Sequence, residues 1–332
     1  MRRPAPPESG NRGLTSYTDE EKLQIARRYL LPKQMKEHGV AKTALRVSDD
    51  AIRAVIAGYT KESGVRTLER TLGKLCRKAA MRLVSKTVKR VTITEKDLEE
   101  LLGPRRFLPP VLDKDPVGVV NGLAWTEVGG ELLEVEVNVM EGSGKLELTG
   151  NLGDVMKESA HAAISCIRSR AAQLGIDPDF YKNRDIHIHF PEGAVPKDGP
   201  SAGVAITTAV VSALTGARVR SDVAMTGEVT LRGRVLAIGG LKEKTMAAKR
   251  NGIRTVIIPR DNQQDLVEID PVVRDALHFV PAETVDTVLA EALLPREIAD
   301  GREPAPEKSD GGEIVTAFVP PEATVKEYPL HQ

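Results

Sequence analysis

Residues 202–214 constrain this 332-residue chain more than any other stretch: they are apolar on nearly every side, with Gly199-Pro200-Ser201 before them and Thr215-Gly216 after. Such a run reads as a helix with no face left for water, so it must be buried. Ser201 then sits at the first turn of that helix. Free backbone N–H groups and the positive end of the helix dipole favour an oxyanion forming beside its hydroxyl. A serine at this position also serves simply as a helix cap, so the local pattern alone leaves both readings open.

A lysine 43 positions further on changes the balance. A serine hydroxyl is a weak nucleophile until a base removes its proton, and lysine is such a base only where its surroundings keep it neutral. Gly239-Gly240-Leu241-Lys242-Glu243-Lys244 opens an expected helix over 241–250, closed by Asn251-Gly252. Leu241, Ala247 and Ala248 lie three or four positions from Lys244, which therefore shares their apolar stripe, whereas Lys242 neighbours Thr245 and Met246. Lys244 is thus the candidate for burial; its alternative is a stem snorkelling along the surface. With a reference pKa of about 10.4, a lysine is neutral at pH 7 in roughly one molecule in two thousand, so a working base needs a depression of about 2–3 units, costing about 3–4 kcal/mol. Ser201 and Lys244 together point to a serine-lysine hydrolase.

Gly199-x-Ser201-x-Gly203 also fits the nucleophile elbow of α/β-hydrolases, in which histidine is the base. Only His278 and His331 follow Ser201, the first in an expected strand over 277–280 and the second penultimate in the chain. Polar Pro196-Lys197-Asp198-Gly199-Pro200 precedes the serine where an elbow needs an apolar strand. Both observations disfavour the elbow. His187 and His189 alternate with Ile186, Ile188 and Phe190, giving a strand with one apolar face and both imidazoles on the other. Without a Cys-x-x-Cys or a third nearby histidine, the pair is expected to hydrogen-bond, and no metal site is expected.

The run Pro196 to Gly203, the preceding Arg184 to Gly193, and Met225-Thr226-Gly227-Glu228 through Lys244 resemble the proteolytic domain of the Lon family, in its A-type of bacteria and mitochondria. Trp125-Thr126-Glu127-Val128-Gly129-Gly130 and Phe180-Tyr181 add to the likeness, which covers about residues 115–295. The resemblance implies that Ser201 is the nucleophile and Lys244 the general base. It also implies that Thr226 orients the lysine, with Asp198, His187, His189 and Glu228 as supporting residues. The activity implied is endoproteolysis of unfolded, damaged or regulatory proteins by hexameric rings in the cytoplasm.

Upstream, Thr18-x-x-Glu21 is a capping box before a helix running toward Leu30-Leu31-Pro32. Further helices are expected after Ser48, over about 65–85 and from Ile93. This small helical domain resembles the α-helical lid of the family's AAA+ module, with Arg66 in Gly64-Val65-Arg66-Thr67-Leu68-Glu69-Arg70 matching its sensor arginine for nucleotide. A phosphate cradle needs glycines followed by lysine and a hydroxyl residue. The nearest imitation, Gly142-Ser143-Gly144-Lys145, is followed by Leu146 and has Val139 where the first glycine belongs. ATP and magnesium are accordingly expected only of the full-length enzyme, and peptide cleavage by this chain should need no cofactor.

The expected fold is α+β: a small all-α lid over 14–103, a linker over 104–116 marked by four prolines, and a protease domain over 117–295. Strands are expected at 118–126, 132–139, 186–190, 223–225, 235–238 and 255–258. Residues 1–13 read as disordered lead-in and 296–332 as a flexible tail. The formal net charge of zero, with no signal peptide and no eighteen-residue apolar run, fits a cytoplasmic protein away from membranes. Cys76 and Cys166 fall on expected helices as reduced core thiols. Charge is uneven: residues 61–90 hold ten Lys or Arg against Glu62 and Glu69, a local balance of +8. A solvated helix face is the common cause of such a run. The family resemblance adds DNA as a partner, and with it a rival reading, a nucleic-acid-binding or assembly module with a latent protease.

Overall fold

The computed structural model describes residues 17–85, 88–107, 114–126 and 129–294; the lead-in over 1–13, the tail over 296–332 and part of the expected linker lie outside them. The chain divides into two compact units that meet in sequence at residues 110 and 111.

In the first unit, α1 (Asp19–Ile25) opens on the reciprocal cap. The Thr18 hydroxyl accepts from Glu21 N at 3.1 Å, and the Glu21 carboxylate accepts from Thr18 N at 2.7 Å. Pro32 does not end this helix. A π turn over Ala26–Leu30 widens the ladder, and α2 (Leu31–Glu37) continues directly from it with Pro32 in its first turn. Strand β1 (Leu45–Val47) leads to α3 (Asp49–Tyr59), capped by Ser48, and then to the twenty-residue α4 (Arg66–Ser85). Ile93 does not open a helix but ends β2 (Val91–Ile93), which pairs in parallel with β1; a 3-10 turn then leads into α5 (Leu98–Leu102). Leu68, Leu72, Leu75, Cys76 and Leu98 form the centre of this unit's core.

The second unit is built on one mixed sheet. Its elements are β3 (Val119–Thr126), β4 (Gly129–Glu141), β5 (Leu146–Thr149), α6 (Asp154–Arg170), α7 (Phe180–Asn183), β6 (Arg184–His189), α8 (Gly203–Thr215), β7 (Val223–Met225), β8 (Glu228–Val229), β9 (Val235–Leu236), α9 (Leu241–Arg250), β10 (Thr255–Pro259), α10 (Pro271–Arg274), β11 (His278–Ala282) and α11 (Val285–Ala292). Seven strands lie in the order β11-β10-β7-β3-β4-β6-β5, with β7 parallel to both β10 and β3; β8 and β9 form a separate antiparallel hairpin. Each strand expected from the sequence corresponds to one of these, β4, β6, β10 and β11 being longer and β3 and β9 shorter.

Side chains alternate across the sheet, so successive residues enter different cores. On β10, Ile257 joins the larger cluster with α6, α8 and α11, whereas Val256 and Ile258 join a second with Leu241 and Ala248 of α9. Helix α8 is buried along nearly its whole length, as its apolar run requires. Cys76 and Cys166 are free and buried, one in each unit. No helix among the described residues is long and apolar enough to cross a membrane.

Ser212 ties α8 to the sheet. Its hydroxyl accepts from Gly118 N at 2.9 Å and donates to Ala217 O at 2.5 Å, entirely out of water. Ser212→Ala leaves a buried N–H and a carbonyl without partners and should cost about 1–3 kcal/mol. Urea denaturation should show the midpoint lowered with an unchanged m-value.

Candidate active site

Ser201 and Lys244 arrive from opposite faces of the sheet. Ser201 lies in a 3-10 turn, Pro200–Ala202, leading into α8 on the side of the larger core; Lys244 is on α9, which packs into the second core. They approach one another only because Thr226 stands where β7 ends. Thr226 N donates to Ile257 O at 3.1 Å, which continues the β7–β10 ladder by one residue.

A compact hydrogen-bond set forms there. Gly227 N donates to Ser201 O at 2.9 Å, and Val204 N donates to Gly227 O at 3.1 Å, so the serine turn is fastened to the chain leaving β7. The Thr226 hydroxyl donates to Ser201 O at 3.4 Å and accepts from Lys244 Nζ at 3.0 Å. With its one hydrogen turned to a carbonyl, that hydroxyl offers the amine an oxygen. A neutral Lys244 therefore keeps its lone pair free for another proton.

Lys244 is 2% exposed, and burial pulls its pKa from 10.5 down to about 8, with no charged neighbour contributing. Lys242 stays half-buried at the helix surface. The Ser201 hydroxyl makes no hydrogen bond with Lys244 Nζ in the free structure.

Two further attachments hold the loop before the serine. Asp198 Oδ1 accepts from Met156 N at 3.0 Å and Gly199 N at 2.9 Å, so its carboxylate caps the start of α6 from another part of the chain. Lys197 Nζ donates to Glu192 O at 2.8 Å, Val195 O at 3.1 Å and Gly150 O at 3.4 Å, cross-bracing the turn; the sequence reading did not single it out. Glu228 opens β8 two residues past Thr226, half-buried. His187 and His189 are brought together elsewhere: both rings share the Thr149 hydroxyl, at 2.8 and 2.7 Å, where β6 meets the edge strand β5. Neither hydrogen-bonds with Ser201, Thr226 or Lys244. No cluster among the described residues could hold a metal ion. His278, which an elbow mechanism would require, is exposed on the edge strand β11.

The glycine-rich turn over 142–145 is already filled. Asp185 Oδ1 accepts from Ser143 N at 2.9 Å and Lys145 N at 2.7 Å, and these backbone bonds lower the pKa of its carboxyl. A triphosphate does not fit here, because an internal carboxylate occupies the amides. Arg66 is exposed at the start of α4.

Residues 92–295 match the Lon protease (S16) C-terminal proteolytic domain, and residues 36–92 match the Lon protease AAA+ ATPase lid domain. The chain is 57% identical over 282 residues to the Lon protease of Finegoldia magna, covering 85% of this chain and 36% of that protein. It is 55% identical over 288 residues to the Lon protease of Brevibacillus choshinensis, with 86% and 37% covered. It is also 55% identical over 282 residues to Lon protease 1 of Bacillus subtilis, with 85% and 36% covered. The chain thus spans little more than a third of these relatives' length.

The depressed pKa of Lys244 has a consequence for stability. A lysine whose pKa is about 8 when folded and 10.5 when unfolded destabilises the fold below pH 8, progressively less up to pH 10.5, and not at all above it. Lys244→Met keeps the stem and removes the charge, so it should raise stability at pH 7 by about 3 kcal/mol. Denaturation at pH 7 and pH 10.5 should show that gain at the lower pH only.

Proposed function

Because the chain belongs to the Lon protease family, we propose that Ser201 and Lys244 form the dyad of a serine endopeptidase acting on unfolded, damaged or regulatory proteins. The observation that carries this reading is the burial of Lys244 Nζ against Thr226, whose hydroxyl is bonded to the carbonyl of Ser201 itself.

In this mechanism neutral Lys244 takes the proton of Ser201 Oγ as that oxygen attacks the scissile carbonyl carbon. Proton transfer requires an Oγ–Nζ hydrogen bond, which this mechanism assigns to the complex with substrate. A backbone N–H of the serine turn stabilises the oxyanion, since those of Gly203 and Val204 are engaged by Pro200 O and Gly227 O, and the dipole of α8 reinforces it. The Lys244 ammonium then gives its proton to the departing amine, leaving an acyl group on Ser201. Water attacks that ester with Lys244 again as base, which restores the hydroxyl.

Peptide cleavage in this mechanism consumes no cofactor. Unfolding a stable substrate costs on the order of 5–15 kcal/mol, so the chain should cut short peptides and unfolded chains and spare folded ones. ATP with magnesium should change neither rate, and assembly into a hexameric ring in the cytoplasm belongs to the same proposal. A second reading has an observation of its own. Arg66, Arg70, Lys74 and Lys78 recur along α4, all exposed and with no carboxylate within ion-pair distance among the described residues. That stripe fits a DNA backbone, and a module that binds DNA while its protease stays latent would show salt-dependent binding without cleavage.

Ser201→Ala and Lys244→Ala should each abolish cleavage of an unfolded protein in the absence of ATP, while Lys242→Ala should not. The rate should climb as Lys244 loses its proton, with an inflection near about 8 that survives His187→Gln and His189→Gln. Loss of the inflection in a histidine variant would make histidine the base; an inert wild-type chain that binds duplex DNA would favour the second reading.

A further inference from the structure

Helix α9 lies on the sheet with no side chain in between at one point, and that point is the peptide carrying Lys244. Gly130, buried near the start of β4, has no room for a side chain: a Cβ there would overlap the Glu243 carbonyl group and come within 2.9 Å of Lys244 N. Its backbone is not in the left-handed region, so space alone excludes a side chain. Two other contacts fix the helix ends. Arg250 Nη2, in its last turn, donates to Gly130 O at 2.9 Å. At the other end Gly240, with φ 69°, is stacked so closely on Trp125 of β3 that a Cβ would lie 3.0 Å from the indole.

We propose that Gly130 is a positioning residue for Lys244: by letting the Glu243–Lys244 peptide rest on β4, it holds the amine at Thr226 and out of water. The proposal rests on the Ser201–Lys244 reading for its catalytic meaning, though not for its geometry. Because the interior is close-packed, a methyl group at residue 130 must lift α9 from β4 by about 1 Å. A shift of that size at a reacting group costs up to roughly a hundredfold in rate. It also opens a path for water to Nζ, and burial is what lowers the pKa of that amine.

The experiment compares wild type, Gly130→Ala and Gly142→Ala for peptide cleavage across pH and for thermal stability. Gly142 is a control for crowding, since a Cβ there would collide with the Asp185 carboxylate, away from the lysine. Gly130→Ala should lower kcat at pH 7 about ten- to a hundredfold with KM changed less than about twofold, and should move the inflection up by about one pH unit or more. Gly142→Ala should lose stability and keep the inflection. A Gly130→Ala enzyme that loses stability but keeps the wild-type inflection and kcat overturns the proposal. Should that variant fail to fold, Arg250→Met, which removes the tether to Gly130 O, decides: a smaller shift in the same direction supports the proposal and an unchanged profile overturns it. Titration of 13C-labelled lysine by NMR in the Ser201→Ala background reads the amine without activity. If Ser201→Ala proves active, the dyad reading falls, and the NMR comparison still decides whether Gly130 sets the environment of Lys244.

Discussion

A primary amine held out of water with one hydroxyl for company is the constraint around which the second unit is arranged. Lys244 gains no charge partner to offset its desolvation, so other contacts must keep it buried. The contacts that do so are distributed. Helix α9 is pressed on the sheet through glycine at Gly130 and Gly240 and contributes Leu241 and Ala248 to the core beneath it. Thr226 caps the amine from the end of β7, a central strand of the sheet and therefore a fixed point. The serine side is equally tied, because the carbonyl of Ser201 accepts from both Gly227 N and the Thr226 hydroxyl. A substitution far from the serine, anywhere that lets α9 tilt, therefore reaches the surroundings of the Lys244 amine.

Much of this was legible in the sequence where periodicity is strong. The run over 202–214 could only be buried, and the stripe of Leu241, Ala247 and Ala248 separated Lys244 from Lys242; the structure agrees on both counts. Short or contact-dependent features were not legible. Strands β1 and β2 are three residues each and lie among helices, so Ile93, just before the capping box of Thr94, read as a helix start when it is a strand end. Pro32 read as a stop because the π turn that accommodates it leaves no trace in residue types. Asp185 fills the glycine-rich turn from 40 positions away, and no local rule exposes that partnership. The likeness to a family picked out His187, His189 and Asp198, but only coordinates distinguish a carboxylate that braces the serine loop from imidazoles bonded to Thr149 at the sheet edge.

The fastening of the serine loop differs in kind from that of the lysine. Lys197 gathers three carbonyls with its one amine, and Asp198 takes one free N–H of α6 and that of Gly199, so both hold backbone that has no ladder of its own. Charges suit an exposed loop, where they stay partly hydrated. Lys244 is held without a charged partner, and a carboxylate near it would raise its pKa and keep it protonated. The two lysines thus meet burial, which lowers the pKa of both, in different ways: Lys197 with three carbonyl acceptors, Lys244 with a single neutral hydroxyl.

The extent of the depression is also a compromise. At pH 7 an amine with a pKa of 10.5 is neutral in a few molecules per ten thousand, and one at about 8 in roughly one in ten, a gain of two- to three-hundredfold in neutral amine. Lowering the pKa by one further unit would add only about a fivefold gain at that pH and cost about another 1 kcal/mol of stability there. It would also weaken the base, because proton affinity falls with pKa and the best catalytic base titrates near the working pH. Burial deep enough to exclude water, with one neutral hydroxyl as partner, is therefore near the useful limit for this amine, and a tighter pocket would lose in basicity and stability what it gained in neutral fraction.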